Sequence, residues 1–180
     1  MRVALAVIVL FPWSLALIGG ANAVMAQATP PISVPAPVQP SPGVDYRPAQ
    51  SLEDLAGKLM HASESSPSGN VSVILDKFSG HFTMLSTRVK SGGAELHKKY
   101  SDIFIVVSGE ATEVTGGAII DPKDSGDEIR GTRVEGGVAQ VLRKGDVITI
   151  APNIPHQTMV SPGQTFTYFV VKVAAPQPAQ

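Results

Sequence analysis

The run Gly92-Gly93-Ala94-Glu95-Leu96-His97-Lys98-Lys99-Tyr100-Ser101-Asp102-Ile103-Phe104-Ile105-Val106-Val107-Ser108-Gly109 decides how the chain folds. In a strand, residues two apart share a face, so Glu95 and His97 project together while Leu96 turns to the other layer. After a turn-like Lys-Lys-Tyr-Ser, Asp102 heads the apolar strand 103–107, and hairpin geometry could return its carboxylate toward the same pocket. Gly109-Glu110 is expected to close that strand with a tight turn.

A second cluster lies far downstream. Gly145-Asp146 suits a turn, 147–150 a strand, and Pro152-Asn153-Ile154-Pro155 a rigid bend that fixes His156 at the head of the strand His156-Gln157-Thr158-Met159. Glu95, His97, Asp102 and His156 are therefore candidate metal ligands converging inside one β-barrel.

The surrounding pattern agrees. Segments 71–75, 82–89, 103–107, 138–142, 147–150 and 166–173 are short and rich in β-branched or aromatic residues, and Gly, Asp and Ser punctuate them. Many short strands with no helix between them predict an all-β antiparallel sandwich or barrel. One short helix is expected before the sheet, over 52–63: Leu52, Leu55, Leu59 and Met60 recur at helical spacing, and Ser51 with Asp54 reads as a capping box. The stretch 116–137, with Asp121-Pro122, Gly126, Gly131 and Gly136-Gly137, reads as a long excursion from a hairpin, of the kind that forms rims or lids.

The first 26 residues read as a signal peptide: Met1-Arg2, an apolar core, then Ala21-Asn22-Ala23 or Val24-Met25-Ala26 as cleavage signals. The protein is thus expected to be exported, periplasmic or secreted, with no stable membrane anchor once that segment is removed. Residues 27–48 carry Pro30, Pro31, Pro35, Pro37, Pro40, Pro42 and Pro48 and are expected to be a disordered, extended linker. The domain then occupies 49–174, followed by a flexible tail, 175–180.

Composition excludes whole classes. With no cysteine in 180 residues, disulfides, thiolate metal sites and nucleophilic thiols are absent. The net charge is -1 and the basic residues are scattered, which leaves no footprint for nucleic acid. There is no G-x-S-x-G elbow and no phosphate-binding G-x-x-x-x-G-K-[ST] loop. His61 reads as a helix-surface histidine, His81 as structural or exposed with a pocket-lining role as the alternative, and Arg130 and Arg133 as solvated loop charges with binding of an anionic substrate as the alternative. Glu95 has a competing role as a rim carboxylate paired with Lys98 or Lys99, and Asp102 as a strand-end cap.

These residues resemble the cupin family, whose fold is a double-stranded β-helix or jelly-roll barrel. Gly92-Gly93, His97, Asp102, 103–107 and Gly109 follow the first cupin motif, and Gly145-Asp146, 152–155 and His156 follow the second. By this resemblance His97 takes the second histidine position, Asp102 the usual glutamate position, and Glu95 replaces the first histidine. The resemblance covers roughly 71–173; the Glu and Asp substitutions and the long insertion between the motifs depart from it.

The resemblance implies a divalent metal ion, and the N/O donor set suits Mn, Fe, Zn, Co or Ni without ranking them. It also implies a small-molecule ligand or substrate, a dimer, and activities of dioxygenase, isomerase or decarboxylase type. Tyr100, Glu110, Gln157 or Tyr168 could border the cavity. A metal-dependent enzyme is the leading reading. A ligand-binding module without turnover and a metal-free structural domain are the alternatives.

Overall fold

The computed structural model describes residues 31–37 and 42–176. The expected signal peptide lies outside the described residues, as do part of the expected linker and most of the tail. One helix, α1 (Ala49–Ser65), precedes twelve strands: β1 (Asn70–Lys77), β2 (His81–Arg88), β3 (Ala94–His97), β4 (Tyr100–Thr115), β5 (Ala118–Ile120), β6 (Lys123–Asp124), β7 (Glu128–Gly131), β8 (Arg133–Glu135), β9 (Val138–Arg143), β10 (Val147–Ile150), β11 (His156–Met159) and β12 (Phe166–Ala174). No helix among the described residues is long and apolar enough to cross a membrane.

The architecture is the expected all-β antiparallel fold with one N-terminal helix. All pairings are antiparallel, and the main path runs β1-β2-β12-β4-β11-β3-β7-β6, with β9 and β10 also on β4. Strand β4 joins the two layers. Its first part, Tyr100 to Gly109, pairs with β12, and its second, Glu110 to Thr115, pairs with β9.

Gly109 therefore does not end the strand, as the sequence suggested; it bends it. Its φ is +80°, and a Cβ there would stand 1.9 Å from the carbonyl oxygen of Thr165. Only glycine combines that left-handed backbone with so close an approach. The β12 register also shifts between Thr167 and Tyr168, opposite the bend, as expected where a strand crosses from one layer to the other.

Two cores follow from strand alternation. Inside the barrel, Phe104, Val106, Leu142, Phe166, Tyr168 and Val170 pack together. On the outer face of β1 and β2, Leu55 and Leu59 of α1 bury against Val71, Val73, Leu75 and Leu85. Truncating a side chain such as Leu59, which is fully buried, costs about 2–5 kcal/mol.

The helix starts earlier than its sequence signal. Its N-cap is Pro48 and has no side-chain cap. Ser51 lies within the first turn, and its hydroxyl donates back to the Pro48 carbonyl at 2.7 Å instead of forming the expected capping box. Proline serves at this boundary because it has no N–H to leave unsatisfied. His61 is exposed beside Glu64, as expected.

The described part of the proline-rich segment lies on the domain. Ile32 and Val34 pack against the helix-side core. Arg47 ties it down, donating to the carbonyls of Pro35 at 2.7 Å and Leu75 at 2.9 Å. The excursion leaves the β4–β9 hairpin as foreseen, but it is built of strands rather than loop: β7 pairs with β3 and β5 with β8.

Candidate metal centre

The bond network around β3 explains the site. On one side β3 pairs with β11, so that Glu95 and His156 are direct cross-strand partners. On the other it pairs with β7, which sets Arg130 opposite Glu95 and Glu128 opposite His97. Directly opposed residues share a face. Local turn chemistry holds His156: Asn153 adopts φ +63°, and its N–H donates to the His97 carbonyl at 2.9 Å. The Pro152–Pro155 bend is thereby pinned to the strand that carries the other histidine.

Glu95, His97 and His156 form a group whose potential ligand atoms all lie within 4.8 Å of one another, close enough to hold a metal ion. The two imidazole rings are 5.2 Å apart, centroid to centroid. Each ring is anchored through Nδ1, that of His97 by Glu128 at 3.0 Å and that of His156 by the carbonyl oxygen of Ile154 at 3.0 Å. This leaves both Nε2 atoms pointing at the shared space, buried and without a hydrogen-bond partner. Second contacts that fix the ring and leave one nitrogen open are the usual support of a histidine ligand. The donor set of two imidazoles and a carboxylate fits a divalent transition ion.

Asp102 comes to the same wall in a different condition. Its Oδ2 is 3.3 Å from His97 Nε2 and 3.8 Å from His156 Nε2. The same oxygen accepts a hydrogen bond from Lys172 Nζ at 2.6 Å, because Lys172 of β12 is its direct cross-strand partner. Oδ1 is buried without a partner. The carboxylate thus shares its charge with an ammonium that the sequence reading did not include.

Glu95 is a ligand candidate rather than a rim charge on the lysines. Arg130 Nη1 is 3.0 Å from its Oε2, and Oε1 is 3.6 Å from His156 Nε2. Lys98 and Lys99 turn away to Asp124 and Asp127. Arg130, expected to be a solvated loop charge, bridges Glu95 and Glu128; Arg133 does pair on the surface, with Glu135.

Burial raises the cost of charge on every one of these groups, and the partners decide the direction. Desolvation pulls His97 down, but Asp102 and Glu128 outweigh it and hold the imidazole at about 9. For His156, desolvation is likewise overcome, chiefly by Glu95, and the net direction is upward. Glu95 stays well below the ordinary carboxylate range because His156 and then Arg130 and His97 outweigh its desolvation.

Two further polar groups of the interior escaped the sequence reading. Glu113 of β4 is fully buried; Thr158 donates to its Oε2 at 2.7 Å and Oε1 has no partner. Desolvation pushes this carboxyl up to about 7 against the opposing pull of Thr158 and His156. Arg88, at the end of β2, donates through Nε to the Tyr168 hydroxyl at 3.0 Å. Tyr168 alone of the four residues expected to border the cavity lies inside the barrel core. Tyr100 packs edge-on against Phe82 and Glu110 pairs with Arg143. Gln157 bridges Gly92 and Val134. His81 stacks on Phe78, in keeping with a structural role.

No protein-family model matches the sequence, and no curated protein matches it significantly. Solved structures are similar to part of the chain at low identity. The polyketide cyclase RemF from Streptomyces resistomycificus is 16% identical over 59% of this chain and 68% of its own, with a TM-score of 0.43. A Klebsiella pneumoniae protein with a double-stranded beta-helix domain is 18% identical over 56% of this chain and 68% of its own, at 0.41. An oxalate oxidase is 18% identical over 61% of this chain and 53% of its own, at 0.45.

Proposed function

We propose that the barrel binds a divalent metal ion through Glu95, His97 and His156, with Asp102 as a fourth donor, and serves as an exported metal-dependent enzyme acting on a small molecule. The observation that carries this reading is the convergence of Glu95 with the buried Nε2 atoms of His97 and His156, which make no well-formed hydrogen bond and face only carboxylates. Two imidazoles braced from behind at Nδ1, with both Nε2 atoms and a carboxylate aimed at one point, are the arrangement that a divalent ion uses.

When bound, the ion supplies Lewis acidity and a coordination point for substrate. The chain's own groups do the rest. Glu128 and the Ile154 carbonyl orient the imidazoles. Lys172 holds Asp102 in place and offsets its charge. Thr158, on the strand headed by His156, holds the buried Glu113 through its Oε2.

Elemental analysis tests this reading. Protein purified without chelator or affinity tag is expected to carry near-stoichiometric metal, and the His97→Ala/His156→Ala double variant none. Metal absent from both, even after reconstitution with Mn, Fe, Co, Ni and Zn, contradicts it. Turnover of a substrate panel by the metallated protein then separates an enzyme from a binding module, which returns its ligand unchanged. Export rests on residues 1–26 and is checked by N-terminal sequencing of periplasmic protein, expected to begin after Ala23 or Ala26.

A further inference from the structure

The inner face of β2 ends on Arg88, a cation with few direct partners among the described residues. Strand alternation sends Leu85 of β2 to the helix-side core, whereas Met84 packs against the barrel core. Arg88 shares the parity of Met84 and therefore the inner face. Its Nε donates to the Tyr168 hydroxyl. Among the described residues, no oxygen accepts from Nη1 or Nη2, and no carboxylate lies within ion-pairing distance.

Desolvation opposes its charge, but Tyr168 and the fields of Glu95 and Glu113 outweigh it and hold the guanidinium above its ordinary pKa. The absence of a side chain at Gly92 makes room for it, since a Cβ there would meet Arg88 Nη1 at 2.6 Å. A planar cation is thus seated against glycine backbone, fixed at Nε by a buried tyrosine, and left with its two terminal amino groups open.

We propose that Arg88 forms an anion subsite beside the metal group, and that the ligand of this barrel is a small carboxylate. The inference rests on the metal-site reading above and names its substrate class. Two terminal N–H donors match the two oxygens of a carboxylate in plane, and desolvation strengthens such charge-assisted bonds.

The charge balance agrees. A divalent ion with Arg88, Lys172 and Arg130 outweighs Glu95, Asp102 and Glu128, even with Glu113 ionised as well. The loaded interior therefore carries excess positive charge, which an anion relieves. Tyr168, His97 and His156 are buried, which favours a small ligand over a bulky one.

The test is calorimetric titration of metal-loaded protein, in buffer free of carboxylates, with propionate, with the matched neutral amide propionamide, and with inorganic phosphate. Wild type is expected to bind propionate at least about tenfold more tightly than propionamide or phosphate, as a charge-assisted pair implies. Arg88→Gln should abolish that preference while retaining wild-type metal content. Arg88→Lys, which keeps the charge and loses the fork, should weaken propionate binding several-fold and serves if the glutamine variant does not fold.

Propionate bound no better than propionamide, bound equally by the folded variants, or bound less tightly than phosphate overturns the carboxylate subsite. Metal content measured on the same samples keeps the two readings apart. Metal-free wild-type protein refutes the metal centre, whereas full metal with propionate binding independent of Arg88 refutes only the subsite.

Discussion

Replacing Glu113 with glutamine in the metal-free protein should stabilise the fold in a pH-dependent way. The side chain is fully buried, so solvent screening does not reduce the effect. Its carboxyl titrates at about 7 in the folded protein against an ordinary value of 4.5. At about 1.4 kcal/mol per pH unit of displacement, the ionised group opposes folding by roughly 3 kcal/mol.

The sign follows from proton binding. Below 4.5 both folded and unfolded chains hold the proton, and the penalty is absent. Between 4.5 and about 7 the unfolded chain has released it while the folded chain keeps it, so stability falls as pH rises; above that the loss is complete. Glutamine preserves the shape and an acceptor for Thr158 but cannot ionise. Urea unfolding of both proteins at pH 5 and pH 8 should show the variant's advantage growing by roughly 2–3 kcal/mol between the two. An advantage that is the same at both pH values would refute the assignment of a raised, buried carboxyl.

Two other substitutions probe the supports of the centre. Glu128→Ala removes the brace on His97 Nδ1 and should weaken metal binding about 10–100-fold, measured by competition with a chromogenic chelator, while His156 and Glu95 remain. Lys172→Met removes one cationic partner of the buried Asp102 and leaves His97 and His156 as the others. The metal-free variant should be less stable by about 1–3 kcal/mol, and metal should restore more stability to it than to wild type; equal thermal shifts on metal addition would show that Asp102 does not feel the ion.

The parts of this molecule legible in its sequence are those governed by local rules. The two-residue strand period places Glu95 and His97 on one face, and the Pro152–Pro155 bend sets the head of the strand that carries His156, whereas the meeting of His156 with Glu95 already depends on the register of β11 on β3. What the sequence hid depends on register between distant strands, which a single chain does not reveal. Lys172 reaches Asp102 because β12 pairs with β4 at that position. Arg130 and Glu128 reach the site because the excursion folds back as β7 alongside β3.

Gly109 shows a different failure. Glycine reads as a strand breaker, yet here its positive φ and the close Thr165 carbonyl turn one long strand through a barrel corner. Glu113 lies beyond that corner and inherits its burial from it. Ser51 misled for a related reason: the capping pattern is local, but Pro48 had already set the helix start.

The most direct test of the metal centre is anomalous diffraction from crystals of the metallated protein, with data collected on both sides of the absorption edge of the ion found by elemental analysis. The account predicts a single strong peak about 2.0–2.3 Å from His97 Nε2, from His156 Nε2 and from a carboxylate oxygen of Glu95. An ion located elsewhere, or imidazoles bonded to each other's neighbours across an ion-free gap in stoichiometrically metallated protein, would contradict it.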